Sequence, residues 1–293
     1  MGGGSYSHIA REDRATRAGY YTKSTREVFS RRSINSQMSP YGLGVRESRD
    51  GTEHPDSFPI IIALDVTGSM GSIPAFLVKN GLPDIMKKIL DAGIKDPQVL
   101  FLGVGDHEYD EAPIQVGQFE SSDELLDHWL TNVYLEGGGG GNDGESYLLA
   151  WYVAGYHTSI DSFEKRGKKG VLITIGDEPT LKEVPARVLD ELFGKGQHTN
   201  VTASELLDKA REMYHCYHLH ICQTGAGSRE RTKQGWKQLM GDENLRLIQH
   251  KEDVADEIAQ IVIKEYGAIP AANKPAVSAA EASAPESSKE DWI

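Results

Sequence analysis

The chain has 293 residues, 39% hydrophobic and 26% charged, the balance of a globular protein with one large domain or two small ones. A formal charge of −13 makes nucleic acid and anionic membranes poor default partners, because both repel an acidic surface. The only two cysteines, Cys216 and Cys222, form no disulfide framework and fit a reducing compartment. No apolar signal core follows the N-terminus and no apolar run approaches spanning length, so a cytoplasmic protein is expected.

Residues 1–58 are polar and locally basic through Arg11, Arg14, Arg17, Lys23, Arg26, Arg31 and Arg32. Such an arm can stay solvated, wrap the domain or dock on an acidic protein. Tyr20, Tyr21, Val28, Phe29, Tyr41 and Leu43 are apolar enough to anchor parts of it. The folded domain is expected over 59–266. Ile60-Ile61-Ile62-Ala63-Leu64 is a continuous β-branched run, the pattern of a buried parallel strand. A helix is predicted over 73–92, interrupted near Gly81 and Pro83, followed by a strand from Val99 to Val104. Ile114 to Phe119 alternates and is short enough to pair back as an edge hairpin. Ser121 and Glu124 have capping-box spacing ahead of a helix with Leu125, Leu126, Trp129 and Leu130. A bulky helix follows from Tyr147 to Tyr156, then a strand from Val171 to Ile175, a helix from Ser204 to Tyr214, and strands from His215 to Cys222 and Leu245 to Ile248. Val254, Ile258, Ile261 and Val262 share one face of the last helix. Residues 267–293, rich in Ala, Pro, Ser and Glu, read as a disordered tail. Strands alternating with helices predict an α/β fold. Its open, mostly parallel central sheet carries helices on both faces and one antiparallel edge strand.

Three polar segments can converge on one rim of such a sheet: Asp65-Val66-Thr67-Gly68-Ser69-Met70, Gly137 through Glu145, and Gly176-Asp177-Glu178-Pro179. Alternate residues Asp65, Thr67 and Ser69 can aim a carboxylate and two hydroxyls at one point. That hard, oxygen-only donor set suits Mg2+, Mn2+ or Ca2+ rather than zinc. With few protein charges on it, the ion stays electrophilic and can accept a carboxylate from outside.

A strand followed by Asp-x-Thr-x-Ser, a glycine-rich loop opening a helix, and a strand followed by Gly-Asp-Glu-Pro together resemble the metal-ion-dependent adhesion site of von Willebrand factor A domains. The resemblance covers 58–266 and implies a Rossmann-like sheet with one cation held by Asp65, Thr67 and Ser69, with Asp177 acting through water. In the middle loop, Gly139-Gly140-Gly141-Asn142-Asp143-Gly144-Glu145-Ser146, the family's frequent Thr is missing, and Asn142 or Asp143 is the expected neighbour of the metal. The implied activity is protein binding in which a partner's Glu or Asp completes the cation's shell. The implied partners of cytosolic relatives include AAA+ ATPases of the MoxR type.

Asp106-His107-Glu108-Tyr109-Asp110 follows the second strand and belongs on the same rim, with Glu178, as a surface for a partner. A rival reading makes Asp106, His107, Glu108 and Asp110 the acid and base of a metal-dependent hydrolase. Another makes the chain a structural subunit assembled through its N-terminal arm. Cys216, His218, His220 and Cys222 share one face of a strand, but four such positions spread over ~20 Å, too far to converge on one zinc ion. The glycine loop lacks the Lys-Ser/Thr ending of a phosphate-binding loop, and no Gly-x-Ser-x-Gly elbow is present.

Overall fold

A computed structural model of the chain describes residues 5–136, 144–196 and 198–267. The elements in chain order begin with α1 (His8–Ala18), α2 (Thr25–Val28), β1 (Arg46–Ser48), β2 (Phe58–Asp65), α3 (Ile73–Phe76), a π-helical turn (Leu77–Gly81) and α4 (Leu82–Asp91). Next come β3 (Pro97–Val104), β4 (Ile114–Val116), α5 (Asp123–Thr131), α6 (Tyr147–Tyr156), β5 (Thr158–Ile160), α7 (Asp161–Arg166) and β6 (Gly170–Gly176). The chain continues through β7 (Glu183–Val184), α8 (Ala186–Phe193), β8 (Val201–Thr202), α9 (Ala203–Arg211), β9 (Tyr214–Ile221), α10 (Glu230–Met240), β10 (Leu245–Ile248) and α11 (Val254–Gly267).

Six strands form the central sheet in the order β10-β9-β6-β2-β3-β4, parallel throughout except for the β3–β4 pair. The strands are apolar on both faces because both faces are covered. Ile60, Ile62 and Leu64 of β2 join Ile73, Leu77, Ile85, Leu126 and Ile258 in one core, under α3, α4, α5 and α11. Ile61 and Ala63, the alternate positions, join Tyr147, Trp151, Leu189, Leu206 and Trp236 in a second core, under α6, α8, α9 and α10. Strand order reverses between β2 and β6. The carboxyl ends of these neighbours, where a crevice opens in such sheets, therefore carry Asp65 and Gly176.

The predicted edge hairpin is real but short: β4 covers Ile114–Val116, and a lone Val99–Glu120 bridge extends the pairing. The cap of α5 is Ser122, whose hydroxyl accepts the Leu125 N–H at 3.3 Å, so the Ser121–Glu124 capping box does not form. Of the readings left open for the arm, residues 5–58 wrap the domain. Arg11 of α1 is 1% exposed and pairs with Asp127 of α5 at 3.4 Å, and Arg14 reaches Asp123 at 2.7 Å. β1 pairs with β5 as a small separate sheet. Among the described residues no helix is long and apolar enough to cross a membrane.

Candidate metal centre

β2 delivers Asp65 fully buried at its carboxyl end, and the chain turns at once through Thr67 into a single 3-10 turn, Gly68–Met70. Asp65 Oδ1 organises that turn, accepting the Thr67 backbone N–H at 2.9 Å and the Thr67 hydroxyl at 2.6 Å. The Thr67 and Ser69 hydroxyl oxygens lie 3.2 Å apart. Ser69 then donates to Asp177 Oδ1 at 2.8 Å, joining the loop after β2 to the loop after β6. Four residues singled out in the sequence are thus brought together. The other oxygen, Asp177 Oδ2, is buried and has no hydrogen-bond partner among the described residues.

Behind this loop stands Tyr147, the first residue of α6, whose hydroxyl donates to Asp65 Oδ2 at 2.6 Å. The phenol passes directly over Gly176, where a Cβ would stand 1.7 Å from the tyrosine oxygen. A glycine at the end of β6 is what lets the hydroxyl reach the carboxylate. Burial, and then the neighbouring Asp177 charge, pushes the Asp65 carboxyl well above its ordinary range. Burial likewise raises the Tyr147 phenol, so it remains a donor at any physiological pH.

The resemblance implies a divalent cation here, and the donor chemistry fits one. Two carboxylates and two hydroxyls offer hard oxygens, each hydroxyl can donate once while keeping lone pairs, and a buried carboxylate oxygen is left without a donor among the described residues. A buried anion without a partner costs free energy that a bound cation removes. The donor set is not a cage of acids: among the described residues no group of three or more His, Cys, Asp or Glu side chains is placed to hold a metal. Asn142 and Asp143 lie outside the described residues.

The rim residues fall into two groups. The β3–β4 turn is closed on itself: the Asp106 N–H donates to Asp110 Oδ2 and the Glu108 N–H to Asp106 Oδ1, both at 2.8 Å. His107 ties this turn to the start of α6, its backbone N–H donating to Ser146 Oγ at 2.9 Å and its ring Nδ1 lying 2.8 Å from the same oxygen. Burial lowers the His107 ring pKa, which favours the neutral form. Glu178 turns toward α10, with Arg229 at 3.7 Å from its carboxylate and Trp236 donating to its backbone carbonyl at 3.0 Å. The alternating Cys216, His218, His220 and Cys222 make no metal site among the described residues. His218 is packed under α10, stacked on Trp236 with ring centroids 3.4 Å apart, and hydrogen-bonded to Thr174.

Sequence reasoning passed over two residues. Tyr147 read only as part of a bulky helix; its position facing a strand-end glycine was the available signal. Glu145 is buried and bridged to Thr180, and its Oε2 has no hydrogen-bond partner among the described residues. Burial, followed by the charges of Asp65, Asp110, Asp106 and Glu178, raises its carboxyl far above the ordinary range. Its proximity to four other acids appears only once the three loops are folded together.

The chain matches no protein-family model and no curated protein. Among solved structures it is similar to the pilus adhesin SpaC from Lactobacillus rhamnosus GG in its open conformation, with 12% identity and a TM-score of 0.49 over 76% of this chain and 31% of that one. A second structure of the same adhesin gives 12% identity and a TM-score of 0.47 over 76% and 32% of the two chains. This chain therefore spans less than one third of each adhesin chain, and the likeness carries no functional argument.

Proposed function

We propose that this chain is a divalent-cation-dependent protein-binding module of the von Willebrand factor A type, acting in the cytoplasm. Asp65, Thr67, Ser69 and Asp177 would hold the cation, with Glu145 and the Asn142–Asp143 loop beside it. Bound there, Mg2+, Mn2+ or Ca2+ would supply a Lewis-acidic position for a carboxylate from outside. The partner is a protein offering a Glu or Asp, and an AAA+ ATPase of the MoxR type is the candidate class.

The observation that carries this reading is Asp177 Oδ2, a buried carboxylate oxygen without a donor among the described residues, on a residue already tied through Ser69 to the Asp65 loop. The hydrolase reading draws less support. The carboxylates it needs, Asp106 and Asp110, accept backbone N–H groups of their own turn, and His107 is held by Ser146.

A cation bound only by the folded state stabilises it by mass action, by about 2.7 kcal/mol at a hundredfold excess over Kd, and so raises the melting temperature. Protein stripped with chelator and titrated with Mg2+, Mn2+ and Ca2+ should show a saturable rise, absent in Asp65→Ala. No rise with any of the three ions, at concentrations up to the millimolar range, would remove the cation from the reading.

A further inference from the structure

The helical stretch that follows the candidate metal loop contains a π-turn, and the N-terminal arm holds it in place. The Leu82 N–H reaches back five residues to the Leu77 carbonyl rather than four. Val78 is left without a helical partner. Its four-residue donor, Leu82, is engaged with Leu77, and its five-residue donor would be Pro83, which has no N–H. Arg11 supplies what is missing: Nη2 donates to the Val78 carbonyl and Nη1 to the Lys79 carbonyl at 3.4 Å. The guanidinium is itself fixed by Asp127, 2% exposed on α5. A second contact closes the arm from the other side, the Lys79 ammonium donating to the Lys23 carbonyl.

The clamped turn is close in sequence to the metal loop. Ser69 and Met70 precede the first residue of α3, Ile73, by four and three positions, and Met70 is buried in the same core as Val28 and Phe29 of the arm and Leu77 and Val78 of the turn. A π-turn is one inserted residue, and moving or losing it re-registers the helix ahead of it by about a quarter of a turn. That would displace Ser69 from Asp177.

We propose that Arg11 is a positioning residue for the cation site, and that the arm carrying it is a strap whose docking sets the site's cation affinity. The proposal rests on the cation-site reading above. It is independent of which partner protein binds.

The test uses the full chain with two readouts. The first is hydrogen exchange of the amides over 68–84 without cation, which reports the strap itself. The second is the Mn2+ and Mg2+ Kd by titration calorimetry. Arg11→Gln should exchange faster over 68–84 and bind both ions about fivefold or more weakly. Because Arg11→Gln also leaves buried Asp127 with Arg14 as its one remaining counter-ion, a second variant separates that effect. Pro83→Ala restores a backbone donor within reach of Val78 or Lys79 while keeping the ion pair. In the Pro83→Ala background, Arg11→Gln should cost markedly less in exchange protection and in cation affinity than it does alone. Unchanged exchange in Arg11→Gln overturns the strap. Faster exchange with unchanged Kd overturns its coupling to the site. Failure of the wild type to bind either ion overturns the cation-site reading, and the coupling with it, whatever the exchange data show.

Discussion

Asp65 carries two demands at once. Its Oδ1 shapes the loop that offers Thr67 and Ser69, and its Oδ2 is held from behind by Tyr147 across Gly176. Replacing Gly176 by Ala puts a methyl 1.7 Å from the tyrosine oxygen, so the phenol must leave the carboxylate. We expect Gly176→Ala to lose about 1–3 kcal/mol by overpacking. Tyr147→Phe removes the closest clash but keeps ring carbons 2.6 and 2.8 Å from the new methyl, so it should relieve part of that loss in the double variant, a non-additivity that urea midpoints of the four proteins measure directly. Independent, additive losses would mean that the glycine is needed for some other reason. The same buried carboxyl makes stability depend on pH. Asp65 sits at about 7 in the cation-free fold against an ordinary 3.8, so the native state binds its proton more tightly than the unfolded chain. That stabilisation is full below the unfolded value and is lost as pH rises through about 7, at up to about 1.4 kcal/mol per pH unit. In chelator, the stability difference between wild type and Asp65→Asn should therefore shift against the wild type between pH 4 and 7. A flat difference would place the charge of Asp65 in a better-solvated setting than the geometry gives.

At the scale of elements, legibility followed the strength of the local pattern. The β2 run, the helix at Tyr147 and the strands over 171–175 and 215–222 were readable because a strand covered on both faces must be continuously apolar, and β2, β3 and β6 are buried at every position. α10 was missed because only Thr232, Trp236 and Met240 of its eleven residues are buried, too few to raise a periodic signal. β1 and β5 were missed because three-residue strands paired across more than a hundred positions have no local signature. The interruption near Gly81 and Pro83 was legible, but its form was not. A proline inside a helix predicts a lost hydrogen bond, whereas the choice of a π-turn depends on Arg11, sixty-seven positions before Val78. The cap of α5 moved by one residue, from Ser121 to Ser122, within the ordinary uncertainty of helix ends. For the candidate metal loop, Asp65, Thr67 and Ser69 were readable from spacing, and Asp177 from the family resemblance of the Gly-Asp-Glu-Pro segment. Tyr147 and Glu145 required the tertiary fold.

At the scale of the molecule, the sequence suggested an acidic domain with a basic arm, and the fold shows how the two charges meet. The arm's docking has two electrostatic layers with different responses to salt. Arg14 pairs with Asp123 and Asp127 from a side chain 26% exposed, where counterions can compete. Arg11 is buried with Asp127 and hydrogen-bonded to backbone carbonyls, beyond the reach of salt. At about 1 M NaCl the screening length falls to about 3 Å, which weakens the first layer and spares the second. Limited trypsin digestion should therefore leave the bond after Arg11 protected at both low and high salt, while Arg26, Arg31 and Arg32, on an exposed stretch, are cut in either condition. In Asp127→Asn the guanidinium loses its buried counter-ion, and cleavage after Arg11 should appear at high salt first, because the helix is then held by the Arg14–Asp123 ion pair, which salt weakens, and by the Arg11 bonds to the Val78 and Lys79 carbonyls alone. If salt alone releases Arg11 in the wild type, the arm is held by surface charge, and its grip on the turn behind the candidate metal loop is weaker than its burial requires.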